Sequence, residues 1–116
     1  MVAGMTMLVY LASPYTPHAG ESIEQRVQSA STAAARLMMD GYAVFSPITH
    51  SHHIADCLSE DLRLDHEFWM KQDLAILQHC DKVVVLRLAG WEKSKGISRE
   101  VSHAQHLEIP VEYIDP

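Results

Sequence analysis

The stretch MTMLVYLASP, residues 5–14, decides the fold of this chain. Its apolar and uncharged residues are followed by Ser13-Pro14, a pair that ends a strand and makes a turn, so they predict a buried strand over Met5–Ala12. A similar run, KVVVLRL at residues 82–88, predicts a second buried strand. Strands that are continuous apolar runs are typical of a parallel sheet covered by helices on both faces.

Helical periodicity fills the chain between these strands. Apolar residues recur every three or four positions from Ile23 to Met38, Ser22 and Gln25 offer a capping box, and Gly41 offers a C-cap. The remaining predicted elements are helices over Asp61–His79 and Ile97–Leu107, strands over Tyr42–Ser46 and Pro110–Ile114, and loops over Pro47–Glu60 and Ala89–Lys95. The alternation predicts the α/β class, as a three-layer α/β/α fold of the flavodoxin or Rossmann kind with a parallel sheet of four to five strands.

Size and charge restrict what this chain can bind. Its 116 residues and 13.0 kDa predict a single domain over residues 1–116. Nine Lys and Arg against fifteen Asp and Glu give a net charge of −6, the wrong sign for a protein that holds a nucleic-acid polymer. We therefore expect no DNA or RNA polymer as a partner.

Neither the cysteines nor the apolar runs indicate an extracellular or membrane protein. Cys57 and Cys80 lie 23 residues apart without a C-x-x-C pair, which fits a reducing compartment. The run from Val2 to Pro14 lacks a basic leader and is too short to span a bilayer. We expect a cytoplasmic protein with no membrane contact.

An acidic residue interrupts the apolar face of the second predicted helix. At 100° per residue, Asp73 falls in the middle of one apolar stripe, formed by Leu62, Trp69, Ile76, Leu77 and Cys80. One interpretation is a buried carboxylate that caps or hydrogen-bonds a neighbouring loop. The other is a carboxylate at the edge of a cleft that takes part in acid/base chemistry.

A second carboxylate, Glu100, is predicted in the first turn of the third helix, where capping and the helix dipole alone would favour it. Its position also permits a functional role. Ligands of open α/β sheets bind beyond the carboxyl ends of the strands, here the loops after Ala12, Ser46 and Leu88. Glu100 follows the last of these loops, in which Gly96 allows close backbone approach.

Basic and hydroxyl side chains gather in the same loop of an otherwise acidic chain: Lys93, Ser94, Lys95, Ser98 and Arg99. Together with free amides at a helix N-terminus, such groups hold a small anion, so a single phosphate is one interpretation. A solvated charged loop is the other.

Histidines and one tryptophan complete the candidate residues. His50, His52 and His53 lack the further ligands of a metal site, and we expect them to offer hydrogen bonds to a ligand. Trp91 follows the strand at residues 82–88 and is a candidate to stack on a base or cover the pocket. Surface positions are expected for the helical histidines, His66, His79, His103 and His106.

Three motifs resemble the nucleoside 2-deoxyribosyltransferase superfamily. They are YLASPY at residues 10–15, Asp73 followed eight residues later by Asp81 and the strand Val83–Leu86, and S-x-G-x-x-x-E at residues 94–100. The order of elements agrees from Tyr10 to about Val111. Residues 45–53, FSPITHSHH, are closer to an uncharacterised branch of that superfamily.

The resemblance implies a role for each matching residue. Glu100 matches the nucleophile that attacks the anomeric carbon, Asp73 the carboxylate near the leaving base, and Tyr10 the tyrosine that orients the glutamate. Ser94 matches the serine that helps to hold phosphate in the deoxynucleoside 5′-monophosphate N-glycosidase. The substrate-binding set is then expected to include Ser13, His50, His52, Trp91, Ser94, Lys95 and Gly96.

The resemblance therefore implies hydrolysis of the N-glycosidic bond of a (deoxy)nucleoside 5′-monophosphate through a covalent glycosyl-glutamate. The alternatives are base exchange between deoxynucleosides and a nucleotide-binding module without catalysis. No cofactor and no metal are expected. The resemblance also implies a homodimer or larger homo-oligomer, with aromatic residues such as Phe68 at the contact.

Overall fold

Four parallel strands form the central sheet in the computed structural model of the protein, which describes residues 6–116. They are β1 (Leu8–Ala12), β2 (Ala43–Phe45), β3 (Lys82–Leu86) and β4 (Val111–Ile114), in the order β2-β1-β3-β4. The predicted parallel α/β sheet is confirmed. Met5, predicted as the first strand residue, and Val2 lie outside the described residues.

Helices connect these strands. They are α1 (Ile23–Met39), α2 (Pro47–Ser51), α3 (Glu60–Arg63), α4 (His66–Leu77) and α5 (Lys95–His106), with 3-10 turns at Ile54–Cys57 and Trp91–Lys93. Within residues 6–116 no helix combines the length and the apolar character needed to cross a bilayer.

Two apolar clusters, one on each face of the sheet, make the predicted three layers. On one face, α1 packs through Ala33 and Ala34 against β1 and β3. On the other, Leu77 of α4 and Ile97 and Ala104 of α5 pack against the same two strands. All five residues of β3 are buried, which explains why this segment is apolar without alternation.

The strand order creates a crevice at one edge of the sheet. The chain runs from β1 through α1 to β2 on one side, and it continues to β3 and β4 on the other side of β1. The direction of winding therefore reverses between β1 and β3. Beyond the carboxyl ends of these two strands, the loops diverge and leave room for a ligand.

The ends of α1 confirm the predicted signals. The Ser22 side chain accepts from the Gln25 amide, and the Gln25 side chain accepts from the Ser22 amide at 2.8 Å. At the other end, Asp40 is the C-cap and Gly41 follows with φ of 102°. A left-handed residue after the cap is the position that favours glycine.

The single helix predicted over Asp61–His79 is wrong. The chain forms α3 and α4 instead, separated at Leu64 and Asp65, because the Asp65 carboxylate accepts from the amides of Glu67 and Phe68 and starts a new helix. The break takes Leu62 out of the predicted apolar stripe and leaves it 40% exposed. The buried face of α4 consists of Met70, Asp73 and Leu77.

Two other boundaries differ from the prediction. The segment Pro47–Glu60, expected as a loop, begins with α2, because Ser46 caps the helix and proline suits its first turn. The last helix starts at Lys95 and not at Ile97, because the Ser94 hydroxyl accepts from the Ile97 amide and caps it.

Candidate active site

A cleft of about 910 Å³ lies at the carboxyl ends of the strands. The residues that follow β1, β2 and β3 line it, as do parts of α4 and the start of α5. This is the edge of the sheet that the sequence predicts for ligand binding. Its apolar lining includes six residues from α2 to α4, here called the apolar wall: Pro47, Ile48, Ala55, Leu64, Trp69 and Met70.

A buried tyrosine and a buried glutamate meet beside this cleft. Tyr10 on β1 has no exposed surface, and its hydroxyl donates a hydrogen bond to the Glu100 carboxylate, which is 4% exposed and borders the cleft. The contact joins positions 90 residues apart in the chain. The bond to Oε2 holds the Glu100 carboxyl group in place, while the other oxygen of Glu100, Oε1, takes no part in it.

Burial changes the ionisation of Glu100. Loss of solvent raises its pKa to about 8, the negative charge of Asp73 adds to this increase, and the Tyr10 hydrogen bond opposes it. Burial and the neighbouring Glu100 carboxylate raise the pKa of Tyr10 as well, so the tyrosine remains a hydrogen-bond donor.

Asp73 on α4 is the second carboxyl group of the cleft. It is 8% exposed, and burial raises its pKa to about 6. Among residues 6–116 no hydrogen bond to its carboxylate is formed, so the interpretation of Asp73 as a loop cap does not describe this structure. Asp73 is instead a carboxyl group that faces the cleft and protonates near neutral pH.

Glu100 does not cap a helix either. It is predicted in the first turn of its helix, but α5 begins five residues earlier, at Lys95, and Ser94 is its cap. Glu100 therefore lies in the second turn, on the buried face with Ile97 and Ala104. The capping interpretation is wrong, because the helix already has a cap.

The N-terminus of α5 forms the polar end of the cleft. Ser94, Lys95 and Gly96 line this end together with Lys93. The first amides of a helix have no acceptor inside it, so those of Lys95 and Gly96 are available to an anion. Arg99, part of the predicted basic set, pairs instead with Glu67.

Gly96 keeps the space next to Glu100 open. A Cβ atom at this position would lie 4.0 Å from Oε1 of Glu100 and 3.8 Å from both Met70 Cε and Ser94 Oγ. The backbone is helical there, so the reason for glycine is room beside the carboxylate and not an unusual φ angle.

Of the other residues predicted to bind substrate, some line the cleft and others do not. Ser13 and His52 line the cleft, and the buried Ser13 Oγ and His52 Nδ1 have no hydrogen-bond partner among the described residues. His50 does not line it, and its ring lies 5.1 Å from that of Phe45.

Trp91 is the clearest departure. It does not line the cleft, and its ring lies 5.5 Å from that of Tyr113 against the core of the sheet. Gly90 adopts φ of 84° and the Trp91 amide bonds to the Leu88 carbonyl, a turn that accompanies this placement. The predicted stacking of Trp91 on a base therefore has no support from its position.

Arg26 and His66 are among the cleft residues that the predicted set does not contain. Arg26 of α1 is 1% exposed and lines the cleft; His66 lines it as well, and it is exposed, as expected. Arg26 lies three residues after Ile23 and four before Ala30, on the apolar face of α1. The criterion that identifies Asp73, a charge on an apolar stripe, would have identified Arg26. His66 has no comparable signal.

Groups that hold metals are not assembled here. Among residues 6–116, no three His, Cys, Asp or Glu side chains come together as a metal site would require. Cys57 is exposed and Cys80 buried, and both thiols are free.

Comparison with known proteins places the chain in a family. Residues 7–115 match the family described as a domain of unknown function, DUF1937, and the chain belongs to that family. A solved 2-deoxyribosyltransferase from Bacillus psychrosaccharolyticus superposes with a TM-score of 0.63 at 24% identity, over 94% of this chain and 72% of that one. The predicted superfamily resemblance is thus confirmed for the fold. No curated protein matches the sequence.

Proposed function

We propose that this protein hydrolyses the N-glycosidic bond of a (deoxy)nucleoside 5′-monophosphate, with Glu100 as nucleophile and Asp73 as proton donor and acceptor. The observation that carries the proposal is the buried contact between Tyr10 and Glu100 beside a second carboxyl group in one cleft. The likeness to a protein named as a 2-deoxyribosyltransferase supports a reaction at the same bond.

In the first step, the Glu100 carboxylate attacks C1′ of the sugar and the bond from C1′ to the base nitrogen breaks. The electron pair of that bond leaves with the base, which takes a proton from Asp73. Glu100 becomes an ester with the sugar phosphate, and Asp73 becomes a carboxylate. Burial suits the role of Asp73, because it keeps this group protonated to higher pH, but it also raises the pKa of Glu100 and so lowers the fraction present as the attacking carboxylate.

In the second step, water attacks C1′ of the ester. Asp73 accepts a proton from this water, the bond from C1′ to the Glu100 oxygen breaks, and the glutamate regains its charge. The Tyr10 hydroxyl donates to the departing carboxylate and stabilises it, as it does in the free protein. The products are the free base and the sugar 5-phosphate.

The polar end of the cleft supports the phosphate. Free amides at the start of α5, the Ser94 hydroxyl and the side chains of Lys93 and Lys95 lie there, seven residues or fewer from Glu100. A phosphate at this end leaves the apolar wall to the base. His52 lines the cleft and can offer a hydrogen bond to the base.

The test is chromatography of the purified protein with ribo- and deoxynucleosides and their 5′-monophosphates. We expect the wild type to release free base, preferring a monophosphate, and Glu100→Gln to release none. Glu24→Gln is the matched control, because Glu24 is an exposed residue of α1 outside the cleft. Mass spectrometry of a rapidly quenched reaction should show the ester on the wild type alone.

Two other outcomes would replace the proposal. A new nucleoside formed when a second free base is added would indicate base exchange, which the name of the structural neighbour favours. Equal nucleotide affinity of wild type and Glu100→Gln, without any base release, would indicate a binding module. The homo-oligomer with a contact at Phe68 and the cytoplasmic location stay predictions, and sedimentation velocity measures the first.

A further inference from the structure

Arg26 connects three separate segments at the base of the cleft. Its Nη2 donates to the Ala89 carbonyl at 2.6 Å and to Glu21 Oε1 at 2.8 Å, and its Nη1 lies 3.5 Å from the Pro14 carbonyl. Glu21 Oε1 also accepts from the His18 amide at 3.2 Å. One guanidinium group thus holds the loop after β1 and the loop after β3.

These two loops form opposite sides of the crevice where the sheet changes its direction of winding. Pro14 follows β1, the strand that carries Tyr10, and Ala89 begins the connection from β3 to α5, the helix that carries Glu100. Ser94 belongs to that connection as well. The position of α5 relative to β1 sets the contact of Glu100 with Tyr10.

The burial of the Arg26 guanidinium group requires an explanation. Arg26 is 1% exposed, and a buried guanidinium is costly unless its donors are used. One donor, Nε, has no partner among the described residues, so the site is not optimised for stability. The planar guanidinium can reach a carboxylate and two carbonyls at once, whereas an ammonium group on a single stem cannot keep this geometry.

We propose that Arg26 is a positioning residue for the reaction: it ties the loop after β1 to the loop after β3 and so fixes Glu100 against the substrate. This inference rests on the proposed function. Arg26→Lys keeps the charge but loses the forked contact, and Glu21→Gln keeps the shape but removes the ionic partner.

The experiment measures two quantities on the same variants. The first is kcat and KM for base release from the preferred 5′-monophosphate. The second is the amide exchange rate, by NMR, of Trp91, Lys93 and Ser94, whose amides bond to carbonyls within the loop after β3. Arg36→Lys is the control, since Arg36 is an exposed residue of α1 that bonds to the Asp115 carbonyl at 3.3 Å. Circular dichroism confirms that each variant is folded.

We expect Arg26→Lys to lower kcat at least tenfold with less than a threefold change in KM, and to accelerate exchange of the three amides. Glu21→Gln should also lower kcat and accelerate amide exchange, but by smaller factors. Arg36→Lys should change neither kcat nor the exchange rates. A lower kcat with unchanged exchange, or faster exchange with unchanged kcat, would overturn the inference.

The experiment distinguishes failure of the proposed function from failure of the positioning role of Arg26. If the wild type releases no base from any substrate, the proposed function fails, and the positioning role of Arg26 fails with it even when the amides exchange faster. If the wild type is active and Arg26→Lys has the same kcat, only the inference about Arg26 fails.

Discussion

Glu100 and Asp73 are two buried carboxyl groups, and among residues 6–116 neither forms an ion pair with a cation. Burial raises both pKa values, so each group ionises less readily in the folded protein than in the unfolded chain. The native state consequently binds more protons over the intervening pH range, and its stability falls as the pH rises through that range. The arrangement is typical of a site where reactivity is favoured over stability.

Replacement of the nucleophile should therefore stabilise the protein at neutral and alkaline pH. The pKa of Glu100 is the ordinary 4.5 in the unfolded chain and about 8 in the folded protein. The favourable contribution of this group to the free energy of unfolding is therefore complete below pH 4.5 and is lost as the pH rises to 8. Glu100→Gln cannot ionise and still accepts from Tyr10. We expect its melting temperature to exceed that of the wild type by a margin that grows from pH 5 to pH 8.

Thermal unfolding followed by circular dichroism measures this margin at several pH values. The control is Glu24→Gln, which removes an exposed carboxylate of α1. A margin for Glu100→Gln that does not change with pH would show that the folded protein does not hold this group protonated.

Gly96 offers a change that separates folding from reaction. Gly96→Ala suits the helical backbone and should stabilise the protein by about 0.5 kcal/mol, because alanine has the higher helix propensity. Its methyl group would lie 4.0 Å from Glu100 Oε1, where the proposed mechanism requires room for the sugar. We expect kcat/KM to fall at least tenfold while the melting temperature rises. Equal activity in the two proteins would contradict the placement of the sugar beside Gly96.

Sequence patterns identify some site residues and miss others for physical reasons. Asp73 stands out because a charge breaks an apolar stripe, and Arg26 has the same signal on α1. Trp91 was expected near the ligand from its loop position, but the turn at Gly90 directs it to Tyr113. Such a turn depends on tertiary packing, which no local pattern records.

The N-terminus of α5 combines structural and binding groups. The Ser94 hydroxyl caps the helix, and the same oxygen lies at the end of the cleft expected to hold phosphate. Any test of phosphate binding must therefore keep the cap. Asp and Asn cap helices as well as Ser does, which makes a charged and a neutral replacement available.

We expect Ser94→Asp to discriminate against phosphate. The added negative charge should lower kcat/KM for the 5′-monophosphate at least tenfold relative to that for the matching nucleoside. Ser94→Asn should leave the ratio within about threefold. Kinetics on both substrates give the ratio, and an equal loss in the two variants would contradict phosphate binding at α5.

Strands were predicted more accurately than helix breaks. The apolar signal coincides with burial in β1 and β3, whereas the edge strands β2 and β4 are only partly buried and are marked by the turn residues beside them; all four differ from the prediction only at their ends. The break at Asp65 was missed because the apolar spacing continues across it. Ser46-Pro47 was interpreted as the end of a strand, although the same pair also starts a helix.

At the scale of the whole molecule, the two carboxyl groups titrate as a pair and set the pH dependence of the reaction. The proposed mechanism needs one proton shared between them, with Glu100 ionised and Asp73 protonated. Because Glu100 has the higher pKa, this is the minor arrangement of the singly protonated pair. With pKa values of about 6 and about 8, we expect kcat/KM to be highest between these values. We expect kcat/KM to decrease below pH 6, where both groups are protonated, and to decrease above pH 8, where both are ionised.

Asp73→Asn is the variant that checks this interpretation. It removes the proton whose loss produces the alkaline limb, so the profile should keep only its acid limb, at a lower maximum. The acid limb should then report Glu100 alone and move from about 6 to higher pH, and it should stay below about 8, because desolvation still raises the pKa of Glu100 while the charge of Asp73 no longer does. Ionisation of the substrate phosphate is common to both proteins and cancels in the comparison. A retained alkaline limb would assign it to another group.

Most of the apolar wall and the Glu100 carboxylate belong to different parts of the chain. Pro47, Ile48, Ala55 and Leu64 come from short helices and turns outside the sheet, whereas Tyr10 lies on a central strand and meets Glu100 on the helix packed against it. Substitutions of the apolar residues can change the shape of the cleft without altering the contact between Tyr10 and Glu100. In evolutionary terms, the proposed function implies that relatives of this protein can diverge in the bases they accept while inheriting the same bond-breaking chemistry.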